Sequence, residues 1–110
     1  MANAFTRKLS SGIGTSPTAV GSYTVGGGVV ATVIGLYVTN ITTALVLVSA
    51  NIDVSGTNYF LLKDAPLPPG ASIAVVGGDA KVVLVAGDKI EVTSSAASSV
   101  DAILSVLEQS

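Results

Sequence analysis

The sequence predicts an all-β fold: a single-domain antiparallel β-sandwich, jelly-roll-like or a small barrel, of about eight short strands. Three observations carry this expectation. Short runs rich in Val, Ile and Thr recur along the chain, and β-branched side chains suit a pleated, half-buried surface. Gly and Pro clusters separate these runs at roughly the eight-to-twelve-residue spacing of sandwich strands. The length of 110 residues fits one domain.

Residues 1–17 read as a flexible N-terminal arm, ahead of a β-sandwich domain over residues 18–110. Phe5 and Leu9 have the spacing of a single helical turn, and Ser10-Ser11-Gly12-Ile13-Gly14-Thr15-Ser16-Pro17 is turn-forming by composition. Arg7 and Lys8 hold two of the five basic residues, so a basic arm precedes an acidic body. A frayed terminus is the plain reading of such a segment, but opposite charges favour docking of the arm on an acidic patch of a neighbouring subunit or of the shell. Phe5 and Leu9 are its candidate anchors, beside Arg7 and Lys8.

Residues 18–25 predict a first strand with Val20 inside, and Gly26-Gly27-Gly28 a turn. Residues 29–40 form the longest run. Val30, Thr32, Ile34, Leu36 and Val38 lie on one face, and Val29, Ala31, Val33, Gly35, Tyr37 and Thr39 on the other. Both faces are largely apolar, which predicts a central strand covered in part on both sides. In residues 44–53, Leu45 and Leu47 oppose Val46 and Val48. One pair faces the core, and the other faces a second layer or a partner. Ser55-Gly56-Thr57 is a tight turn. Residues 58–63 are a strand with Phe60 and Leu62 opposite Tyr59 and Leu61.

Residues 72–76, 80–85 and 89–93 are apolar runs set off by Pro68-Pro69-Gly70, Gly77-Gly78-Asp79 and Ala86-Gly87-Asp88. They predict three consecutive antiparallel strands, a β-meander. In the last, Ile90 and Val92 alternate with Lys89, Glu91 and Thr93, so one face is dry. Residues 94–99 are a Ser- and Ala-rich loop. Residues 100–108 fit two periods. Val100, Ile103, Leu104 and Leu107 have helical spacing, whereas Val100, Ala102, Leu104 and Val106 share one face of a strand. The strand is favoured, because the sheets otherwise lack a closing element. Ile103 and Leu107 then remain outside as further candidate contacts.

The chemistry-bearing residues are sparse. The chain has no Cys and no His, which removes thiolates and the commonest general base and metal ligand. Charged residues make up 11%, against about 25% in a typical domain. No Gly-rich segment fits a phosphate loop or a dinucleotide fingerprint. Asp79 and Asp88 follow Gly at turns and read as turn caps. Asn40-Ile41-Thr42 matches a glycosylation sequon by coincidence. The expectation is a protein that is not an enzyme and uses no cofactor or metal. Two adjacent cations do not make the footprint of a nucleic-acid binder. Mean hydropathy is +0.72, yet no apolar run approaches the roughly 20 residues of a spanning helix. Neither a membrane segment nor a standard secretion signal is expected.

Three stretches carry a resemblance. They are ATVIGLYVTN at residues 31–40, NYFLLKDAPLPPGASIAVVGGDAKVVL at residues 58–84, and AGDKIEVTSSAASSVD at residues 86–101. The chain resembles small β-rich virion structural proteins of tailed bacteriophages, notably those of cyanobacteria and other aquatic bacteria. The similarity covers about residues 23–108. Where that group often has Pro after the first strand, in YTVPAG, this chain has Tyr23-Thr24-Val25-Gly26-Gly27-Gly28. The pattern carries no site residues.

The resemblance implies a virion structural role, in particles assembled in the host cytoplasm. A capsid decoration or cement protein is expected first, and a neck or tail accessory protein second. The implied partners are the chain itself, with a trimer favoured, and other virion proteins such as the major capsid protein. A carbohydrate- or surface-binding β-sandwich module is the reading from another class, with Tyr23, Tyr37, Tyr59, Phe5 and Phe60 as its only aromatics. The candidate interface comprises Phe5, Arg7, Lys8, Leu9, Leu45, Leu47, Ile103 and Leu107.

Overall fold

The computed structural model describes residues 3–77 and 81–110. The described residues form nine strands: β1 (Asn3–Ile13), β2 (Thr18–Ala19), β3 (Val30–Asn40), β4 (Val46–Val54), β5 (Thr57–Leu67), β6 (Ser72–Val76), β7 (Val82–Leu84), β8 (Lys89–Ser94) and β9 (Val100–Gln109). A short 3₁₀ turn, Val20–Ser22, follows β2. The fold is an antiparallel β-sandwich, as the turn spacing predicts. One sheet runs β1-β9-β3-β6, with β7 also paired to β3, and the other runs β2-β8-β4-β5. With β6 and β7 sharing one position, this is the strand order of a jelly roll.

The core lies between the sheets. Ala31, Val33, Leu36, Val38, Leu104 and Val106 face Val46, Val48, Ala50, Ile90 and Val92 across it, and all are buried. Val25 is buried beside the start of β8, Ile13 and Val100 beside its end, and Val20 packs into the same core. The final segment is strand β9, with Val100, Ala102, Leu104 and Val106 buried. In β8, Ile90 and Val92 are buried and Lys89, Glu91 and Thr93 face outward. Both alternations follow the period of two that the sequence shows.

Three expectations are corrected. First, residues 3–13 are not a flexible arm. They form an edge strand paired with β9 from Asn3↔Gln109 to Ile13↔Val100. Backbone pairing holds this strand, because its core-facing side carries Ala4, Thr6, Lys8 and Ser10 rather than large aliphatics.

Second, there is no meander. The strands β6 and β7 lie end to end on β3, at Leu36–Thr39 and Ala31–Val33, while β8 crosses to the other sheet between β2 and β4. Val76 of β6 and Leu84 of β7 are buried from one sheet and Ile90 and Val92 of β8 from the other, so the wound arrangement brings both sets to a single core. The turn Gly77-Gly78-Asp79 and the start of the run at residue 80 fall, at residues 78–80, outside the described residues.

Third, β3 is central but not covered on both sides. A bulge between Val33 and Gly35 shifts its register against β9. Ala31 and Val33 point inward before it, and Leu36, Val38 and Asn40 after it. One extra residue inverts the alternation, which is why both faces look apolar in the sequence. The first expected strand, residues 18–25, shrinks to β2 and the 3₁₀ turn, with Val20 buried as expected.

Candidate interaction surface

The two outer faces of the sandwich differ in character. On the β8-β4 ladder the outward residues are polar and paired across strands. Lys89 Nζ lies 3.5 Å from Asp53 Oδ2, and Asn51 Nδ2 donates to Glu91 Oε1 at 3.2 Å. Ser49 stands opposite Thr93 in the same row. A solvated sheet face looks like this.

The outer face of the β1-β9-β3 sheet interleaves polar positions with rows of exposed apolar side chains. Its register sets Leu9 beside Ile103 and Ile103 beside Tyr37. A second row sets Phe5 beside Leu107, Leu107 beside Thr32, and Thr32 beside Val83. Phe5 is 77% exposed, Leu9 52% and Val83 60%. Arg7 stands between the rows, opposite Ser105. Phe5, Arg7, Ile34 and Ser105 line a shallow hollow of about 340 Å³. Strand spacing and rise give the whole four-strand face roughly 650 Å², of which the apolar side chains cover part. Exposed apolar patches of more than a few hundred Å² mark interaction sites. A stable protein interface takes about 800 Å² from each partner, so the apolar rows would form the centre of a contact whose rim is polar.

The candidate residues divide accordingly. Phe5, Arg7, Leu9, Ile103 and Leu107 come together on this face. Lys8 turns to the inner side, its Nζ lying 5.0 Å from the Tyr23 ring centroid. Leu45 and Leu47 are exposed, while Val46 and Val48 are buried. Leu47 sits on β4, on the opposite side of the sandwich from Phe5. Tyr37, Ile34 and Val83 complete the apolar face and are absent from the candidate set. Their membership follows from the bulge and from the β3–β7 pairing, and neither leaves a local signature.

Tyr23 is part of the core wall and not a free aromatic. It is buried, and its hydroxyl donates to Glu108 Oε2 at 2.5 Å. Burial first, then the hydrogen bond and charge of Glu108, raise its pKa above the usual tyrosine value. Asp88 caps its turn, Oδ2 accepting from the Val85 N–H at 3.0 Å, while Asp79 lies outside the described residues. No family model matches the sequence, and no curated protein matches it.

Proposed function

We propose that the chain is a bacteriophage virion structural protein, a capsid decoration protein that works through protein–protein contacts. The observation that carries this reading is the asymmetry of the sandwich. One outer face is polar and internally paired along its β8-β4 ladder, with Leu47 and Phe60 exposed beside it, whereas the other presents Phe5, Leu9, Tyr37, Ile103 and Val83 to solvent. Such a face supports lateral or basal docking, onto copies of the chain in a homo-oligomer, a trimer, and onto the shell. The resemblance of residues 31–40, 58–84 and 86–101 to tailed-phage virion proteins supports the virion setting. The absence of Cys and His from the sequence fits a role in contacts rather than catalysis.

Imaging intact virions of the phage that encodes the chain, with a tag on the chain, tests the proposal. Density repeating over the capsid lattice is the expected result. A single ring at one vertex, or density along the tail, replaces the decoration role with a neck or tail role. A particle that never contains the chain overturns the virion reading.

A further inference from the structure

On the β4-β5 side, opposite the apolar face, lies a groove of about 310 Å³. This volume is at the lower end of small-molecule sites, roughly 300–1,000 Å³. Leu47, Asn51, Asn58, Phe60, Lys63 and Asp64 are among the residues that line it. We propose that this groove binds a short neutral saccharide.

The charge balance comes first. Lys63 Nζ lies 3.6 Å from Asp64 Oδ2, so the only cation and only carboxylate in the lining offset each other. A phosphate or a free cation finds no excess of opposite charge there.

The polar groups come second. Asn51 lines the groove with its side chain fixed, Nδ2 donating to Glu91 Oε1 at 3.2 Å. Asn58 is exposed at the groove, where its side-chain amide can both donate and accept. Asp64 is held in place, its N–H donating to Ser49 Oγ at 2.9 Å and its Oδ1 accepting from that hydroxyl at 3.3 Å. Amides beside a fixed carboxylate suit a ligand that both donates and accepts.

The apolar wall comes third. Phe60 is 50% exposed; Lys63 Nζ covers one face of its ring at 4.9 Å from the centroid, so a sugar would pack on the ring's remaining exposed surface. Leu47 extends this wall. A sugar ring presents hydroxyls at its edge and C–H groups on its face, so it matches both linings at once. The groups stand on paired strands, which keeps the site preformed.

The inference does not depend on a virion role. The test is an array of neutral and anionic glycans probed with the full chain, followed by NMR titration of the strongest neutral glycan. Binding of a neutral glycan is expected, with amide shifts in residues 47–51 and 58–64. Phe60→Ala and Asn58→Ala should each weaken it by about tenfold or more, while Phe5→Ala on the opposite face leaves it unchanged. Four results overturn the proposal: no neutral glycan bound, anionic glycans alone bound, shifts mapping away from the groove, or full affinity in both groove variants that retain the wild-type fold.

Discussion

Asn40 ties together three segments at the end of β3. Its Nδ2 donates to the carbonyls of Ala44 at 2.8 Å and Leu67 at 2.9 Å. Its Oδ1 accepts from the Thr42 N–H at 2.8 Å and the Thr42 hydroxyl at 2.7 Å. The side chain is fully buried, so the sequon around it describes a turn and leaves no room for a glycan. Asn40→Ala strands a buried carbonyl and should lower stability by roughly 2–4 kcal/mol in urea unfolding. Asn40→Asp should also destabilise, because a carboxylate has nothing to donate to two carbonyls.

Tyr23 gives a pH signature. Its folded pKa is raised above the usual 10.0, so the folded state favours the protonated phenol. The associated stability is fully present below the unfolded pKa and is lost as the pH climbs above about 10. The urea midpoint should therefore fall across that range in the wild type. Tyr23→Phe should remove this part of the dependence.

At the scale of elements, β1 departs most from its sequence reading. The core-facing positions Thr6, Lys8 and Ser10 hide the alternation that marks a strand, and its large residues, Phe5 and Leu9, face outward. Its placement also depends on Gly21, which has a φ of +63° and lies against it. The Gly21 N–H donates to Ser10 Oγ at 2.8 Å. A Cβ at this position would come within 2.6 Å of Lys8 Cβ. Gly21→Ala should cost roughly 1–3 kcal/mol. Hydrogen exchange should show the loss of protection concentrated in β1 rather than in β3.

Where a strand keeps one unbroken alternation, as β8 and β9 do, its buried face was legible in the sequence. The bulge in β3 was not, because Ile34-Gly35 looks like any apolar step until the partner strands are known. The pairing of β6 and β7 with β3 was illegible for a related reason. Adjacent runs with tight turns resemble hairpins, and only the packing of two sheets separates them. The interaction surface was partly legible: Phe5, Leu9, Ile103 and Leu107 stand out as surplus apolar residues, but their assembly on one face needs the β1–β9 register.

For the whole molecule, the central claim is that the apolar face of the β1-β9-β3 sheet is what attaches this chain to its assembly. On the opposite face the ladder of Lys89, Asp53, Glu91 and Asn51 is polar and paired within itself. Phe5 and Leu9 are exposed at the edge of the apolar face, so replacing both with Ser spares the core. The most direct measurement is co-sedimentation of the tagged chain with phage particles assembled without it. Wild type should travel with the particles, and the Phe5→Ser, Leu9→Ser double variant, folded by circular dichroism, should stay behind. Attachment of the double variant at unchanged occupancy would contradict the account.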